Sequence, residues 1–267
     1  MRSAVLTLVM LCQMCMLPQP GSATLSAEAI VSRAQQQLIV PAEFVLGEMK
    51  VYRQDRLNRS YSFIMGRLWD EGAQTEYVRI DFKTAIGTAV HSDHRYLLKR
   101  ASQTPASQWL YLPALRRVRI VPYQPDDPLL QSDYLFYDLT AIQNCNDYVY
   151  RFIDDNAQTP IIEGTPREKS VSVPYERVIL HLEKRGETYL LTEIQGNMRG
   201  TEKHARFSEF TEMTPGRYRP QKLTVHGGEG ARTEFTFHGW TFSTPVPQLL
   251  TPTHLETQAL AIPATFR

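Results

Sequence analysis

Residues Trp109 to Leu139 read WLYLPALRRVRIVPYQPDDPLLQSDYLFYDL. The run Trp109 to Leu112 has the apolar composition of a largely buried strand, and Pro113 ends it by removing a ladder donor. Past the turn, Arg116, Arg117 and Arg119 interleave with Leu115, Val118 and Ile120. A returning strand then carries Val118 and Ile120 on one face and Arg117 and Arg119 on the other. The stretch predicts a hairpin with one wet, basic face. Pro122, Pro125 and Pro128, together with Asp126 and Asp127, forbid a regular element next. Yet Leu129, Leu130, Tyr134, Leu135, Phe136 and Tyr137 are too apolar for a solvated loop. These side chains are either covered or are themselves a cover.

Outward from this stretch the chain reads mostly as strands. Met49 and Val51 alternate with Lys50; Tyr61, Phe63 and Met65 with Ser62 and Ile64; Val78, Ile80 and Phe82 with Arg79 and Asp81. Asp70-Glu71-Gly72 supplies a turn. Further strands are predicted around 87–90, 95–99, 148–153, 178–183, 189–195, 201–210, 219–226 and 233–242. Prolines and charges make 124–131 and 156–174 the irregular stretches. The exception is a helix near the start, with Ser26 as N-cap, Glu28 in its first turn, and Ala27, Ile30, Val31, Ala34 and Leu38 as its apolar stripe. About ten strands and almost no later helix predict a mainly β fold, an antiparallel meander that curls to hide its edges. A curled sheet has an inside, which is either filled by its own side chains or left as an apolar cavity. Phe63, Met65, Tyr77, Val78, Ile80, Leu112, Val118, Tyr134, Phe136, Phe235 and Phe237 are the candidates to line or fill it.

Arg2 followed by the apolar stretch Ala4 to Leu17 and the small residues Gly21-Ser22-Ala23 reads as a secretory signal peptide, residues 1–23, cleaved near Ala23. The stretch falls short of the roughly 20 apolar residues that span a bilayer. Removing 23 of 267 residues takes away one Arg, and the remaining 28 basic residues balance 28 acidic ones. A neutral chain argues against a nucleic-acid binder. Cys12 and Cys15 leave with the signal, so Cys145 has no partner within the chain and stability rests on an ordinary core, in one domain over 24–267.

Catalytic patterns are weak. His91-Ser92-Asp93-His94 contains metal-ligand types, but Ser92 and Asp93 are ordinary turn residues. No G-x-S-x-G elbow occurs, and Gly227-Gly228-Glu229-Gly230 lacks the Lys and helix of a phosphate loop and reads as a hairpin turn. Asp126, Asp127, Asp133 and Asp138 could supply paired carboxylates, although a solvated loop explains the first two equally well. The prediction is no enzyme, no metal and no cofactor. Arg116, Arg117 and Arg119 suit an anionic lipid headgroup or a partner's carboxylate; the alternative is a solvated face with ion pairs to Asp133 or Asp138.

W-L-Y-L-P-A-L-R-R-V-R-I from Trp109, a short acidic loop, and S-D-Y-x-F-Y-D-L from Ser132 to Leu139 resemble the signature of the outer-membrane lipoprotein-sorting proteins, a branch of the LolA-like superfamily. The resemblance implies a half-open antiparallel barrel over an apolar cavity, with the amino-terminal helix and the Leu129 to Leu139 loop as plug or lid. It also implies a periplasmic carrier of the acyl part of a lipid or lipoprotein between inner and outer membrane, working with an inner-membrane exporter of the resistance-nodulation-division type and an outer-membrane acceptor. The runner-up is a periplasmic adaptor with a filled barrel.

Overall fold

The computed structural model describes residues 25–86, 93–101, 106–141, 147–167, 173–228, 230–242 and 247–261. The amino-terminal helix, α1, spans Ala27–Gln36, with the Ser26 hydroxyl accepting from the Ala29 amide at 3.2 Å. It is followed by β1 (Ala42–Arg53), β2 (Arg56–Asp70), β3 (Thr75–Ile86), β4 (His94–Ala101), β5 (Ser107–Leu112) and β6 (Arg117–Val121). After a long connection that ends in the short helix α2 (Asp138–Ala141) come β7 (Tyr148–Asp154), β8 (Ile161–Pro166), β9 (Arg177–Arg185), β10 (Thr188–Met198), β11 (Thr201–Thr214), β12 (Arg217–His226) and β13 (Ala231–Thr241). Helix α3, Pro252–Thr257, lies near the end.

Among the described residues these thirteen strands form one antiparallel sheet, in the order β6-β5-β4-β3-β2-β1-β13-β12-β11-β10-β9-β8-β7. Two up-and-down meanders are thus joined in the middle by the pairing of β1 with β13, and the free edges are β6 and β7. The segment from Pro122 to Asp147 connects those opposite edges, so it has to cross the sheet. It crosses on the concave side, where Leu129, Tyr134, Leu135, Phe136, Tyr137 and Leu139 join the core. This is why its composition is too apolar for a loop. We call residues 125–139 the strap.

A side-chain contact also links the two meanders. Arg100 of β4 pairs with Asp147, just before β7, at 3.1 Å. At Gly47, beside a register shift between β1 and β13, a Cβ would stand 2.6 Å from both the Phe63 ring and the Thr236 carbonyl. Only glycine lets the ring pass that close to the backbone. The convex face is covered over β3 to β6 by the carboxy-terminal segment, where Leu250 and Leu255 bury Leu97. There Arg79 donates to Asp81 (2.9 and 3.0 Å) and to the carbonyls of Leu249 and Gln258, while Asp81 accepts from the Leu260 amide.

The mainly β, incompletely closed architecture is as expected. Two local readings are corrected. Residues 156–174 contain β8, whose short Ile161-Ile162 apolar pair is stabilised by pairing on both sides. Ile120 shares a face with Val118 but is 76% exposed, because the carboxy-terminal cover reaches Val118 and not the end of β6. The strand expected at 87–90, the His91–Ser92 part of the candidate metal site, Cys145 and the signal segment lie outside the described residues. No group of three metal-ligating side chains occurs among the described residues.

Candidate functional site

Strand alternation sends every second side chain to the concave face, and there they gather into two clusters. One is centred on β1 to β4 and β11 to β13, the other on β7 to β10 with α1. Each contains a cavity, of about 120 Å³ in the first and about 80 Å³ in the second.

The first cavity is lined by Phe63, Met65, Ile80, Phe82, Phe235 and Phe237 from the sheet, Phe207, Leu223 and Trp240 at its far side, and Tyr134 and Leu139 from the strap. Its aromatic wall is continuous: the Phe63 ring lies 5.9 Å from Phe82 and 6.2 Å from both Phe235 and Phe237, and Tyr134 meets Phe235 edge-on at 5.1 Å. Such a surface recognises apolar chains without directional bonds.

Charges line this cavity on one side. Glu43, fully buried, accepts from Arg67 at 2.7 Å and from Arg219 at 3.0 Å. Arg67 also reaches Glu76 at 3.0 Å and donates to the Leu139 carbonyl at 3.0 Å. Arg219 donates to the carbonyls of Gln37 and Leu38, just past the end of α1, and Arg217 donates to those of Gln36, Gln37 and Ile39. These are carbonyls that a helix end leaves unpaired, and cations suit them. The network therefore fastens both the helix end and the strap to the sheet. Burial pushes the Glu76 carboxyl up to about 7 against the opposing pull of Arg67 and Arg100. Burial alone would lower Arg67, but the Glu43 and Glu76 carboxylates beside it hold its guanidinium above the usual value.

The second cavity is lined by Val31 and Ala34 of α1, by Tyr148, Tyr150, Val178, Leu180 and Ile194 of the sheet, and by Tyr137 and Tyr175. The Tyr175 ring lies flat on Gly196, where a Cβ would come within 2.6 Å. Its polar element is Asp138, which accepts from Tyr175 Oη at 2.7 Å, Lys203 Nζ at 3.0 Å and the Leu135 amide at 2.9 Å. Burial, with the Asp138 charge next, raises the Tyr175 phenol well above its ordinary range and keeps it a proton donor.

Of the residues singled out from sequence, Phe63, Met65, Ile80, Tyr134, Phe235 and Phe237 lie on the first cavity. Val78 is fully buried in the same cluster, and Phe136 stacks on Tyr96 at 4.7 Å. Tyr77 and Val118 point the other way, into the convex cluster with Leu97 and Leu255. Tyr77 could not share the inside with its neighbour Val78, because adjacent strand residues face opposite sides. Leu112 sits half-buried at the end of β5, on neither cavity. Arg116, Arg117 and Arg119 are exposed and make no ion pair among the described residues. Asp133 pairs instead with Arg53 at 2.9 Å and Asp138 with Lys203. The second cavity went unrecognised in the sequence, although alternation in Ala205-Arg206-Phe207 and the tyrosines of β7 carried a signal for it.

A family model described as an uncharacterized protein matches residues 87–257. No curated protein matches the chain. Crystal structures that share its fold include the following three. A protein domain from Vibrio parahaemolyticus described as outer membrane lipoprotein-sorting is 18% identical with a TM-score of 0.71, covering 86% of this chain and 99% of its own. A DUF1329 family protein from Desulfovibrio piger is 19% identical with a TM-score of 0.73, covering 86% and 97%. A LolA superfamily protein from Nitrosomonas europaea is 14% identical with a TM-score of 0.60, covering 86% and 99%.

Proposed function

The chain belongs to the family whose model its residues 87–257 match and has the fold of the LolA superfamily, and on that premise we propose that it is a periplasmic carrier of acyl chains. The observation that supports this most is the pair of apolar cavities on the concave face, closed by elements fastened at their ends by charges. Each buried methylene is worth about 0.8 kcal/mol, so two long chains exposed to water cost on the order of 20 kcal/mol, and a carrier lowers that barrier. No catalytic group is needed. Direction comes from successive partners that favour the closed or the open form differently. Cargo is a lipid or the lipid part of a lipoprotein, taken from an inner-membrane exporter of the resistance-nodulation-division type and passed to an outer-membrane acceptor. Arg116, Arg117 and Arg119, exposed on the β5–β6 hairpin with Leu115 and Ile120, are the residues we assign to the partner or to lipid headgroups. Export as a 1–23 signal peptide and a 24–267 carrier domain completes the reading.

An apolar cavity of about 150 Å³ accommodates benzene, so the closed cavities are too small for whole chains and have to widen to admit them. The same small volumes favour a second reading, a filled-barrel adaptor that holds no cargo. Mass spectrometry of the organic extract of protein purified from the periplasm without detergent, against an unrelated periplasmic control, separates the two. The carrier predicts a stoichiometric lipid. A blank that persists after incubation with membranes establishes the adaptor.

A further inference from the structure

The two cavities adjoin. Tyr134, Asp138, Leu191 and Phe207 line both and form the partition between them. The partition is braced: Tyr134 Oη donates to the Asp138 carbonyl at 2.8 Å, its ring packs on Phe235, and the Asp138 carboxylate is held by Lys203 and Tyr175. With the Leu135 amide, the Asp138 carboxylate takes three hydrogen bonds, which makes it a wall rather than a loose filler. Some lining residues of each cavity are only half-buried, Leu38 and Phe210 on the first, Gln35 and Ile194 on the second, and Leu191 and Phe207 on both. The strap covers both cavities, with Tyr134 and Leu139 on the first and Tyr134 and Tyr137 on the second, where Val31 and Ala34 of α1 join it.

We infer that the site is bipartite and takes an amphiphile with two acyl chains, one in each chamber, with the partition seated between them. This rests on the carrier reading and gives it a ligand class. The chains of a diacyl lipid leave neighbouring carbons a few ångströms apart, so their receptacles have to adjoin, as these do. A single-chain ligand fills one chamber and leaves the other dry and empty, forfeiting the contacts of its lining. A single large pocket would place no charge-braced partition across its middle.

The test counts ligands by native mass spectrometry on the delipidated full chain. Palmitate is expected to bind two per protein and dipalmitoylphosphatidylglycerol one, displacing both palmitates. Leu223→Trp, which fills the first chamber, and Ala205→Phe, which fills the second, are each expected to leave one palmitate and to weaken the diacyl lipid about tenfold or more. If either variant loses the native circular dichroism, Leu223→Phe and Ala34→Leu repeat the measurement. One palmitate in the parent protein, lost in both variants, means a single pocket and overturns the bipartite site while leaving the carrier intact. Binding of neither probe overturns the carrier reading, and the bipartite site with it.

Discussion

Glu76 shows how a residue's behaviour is set by neighbours far away in the chain. It is 4% exposed, 3.0 Å from Arg67, and its carboxyl is pushed up to about 7 chiefly by burial. Because the folded protein holds this proton more tightly than the unfolded chain, the group's contribution is full below about 4.5 and is lost as pH rises towards about 7. Glu76→Gln removes that titration. Urea unfolding at about pH 5 and about pH 8 is expected to show the variant gaining stability relative to the parent as pH rises; equal differences at the two pH values refute the assignment. In the sequence Glu76 is an unremarkable polar residue in a strand. Its partners Arg67, Arg100 and Glu43 lie on three other strands, and only folding brings their charges together.

The strap holds only a 3-10 turn at Leu129–Gln131 and the start of α2, and its order comes from a few fixed points. Leu129 N donates to the Tyr134 carbonyl at 2.7 Å, Asp133 is held by Arg53 and Thr233, and Asp138 by Lys203 and Tyr175. Leu130 and Gln131 take positive φ at its tip, a conformation non-glycine residues adopt only when surroundings hold them. Loosening one fixed point should open this element before the sheet. In Lys203→Met, amide exchange over residues 129–139 is expected to quicken by about tenfold or more while β2 and β3 stay unchanged. Acceleration that is uniform over the whole chain would show that Lys203 supports global stability and not the strap. The sequence announced this element as apolar residues in a proline-rich segment, and it was legible as a cover. Which surface it covers was not, because nothing local says that β6 and β7 are opposite edges.

The whole molecule is two meanders that could have been two units. They are made one by the β1–β13 pairing, by Arg100 with Asp147, and by strap residues that pack into both clusters: Tyr134 and Phe136 in the first, Leu135 and Tyr137 in the second. Unfolding is therefore expected to be cooperative across the sheet. The three tryptophans, Trp69, Trp109 and Trp240, lie on β2, β5 and β13, so fluorescence reports one side, whereas far-ultraviolet circular dichroism reports all strands. The two denaturation curves should coincide; separate midpoints would mean that the β7 to β10 side melts on its own.

The sequence by itself determined the mainly β class, the capped amino-terminal helix, the strand faces wherever alternation was regular, and the apolar character of the strap, because these follow from local periodicity and backbone chemistry. It also singled out Phe63, Tyr134, Phe235 and Phe237 of the first cavity, but not Phe207, Phe210 or Trp240. Only the tertiary structure decided that there are two adjoining cavities, that Tyr77 and Val118 lie outside them, and that Glu43, Arg219 and Lys203 are buried, and Arg67 and Asp138 half-buried, around them. Charges far apart in sequence show no pattern until strand order is known, and that order is set by which edges the chain crosses between, a long-range choice that no local window contains.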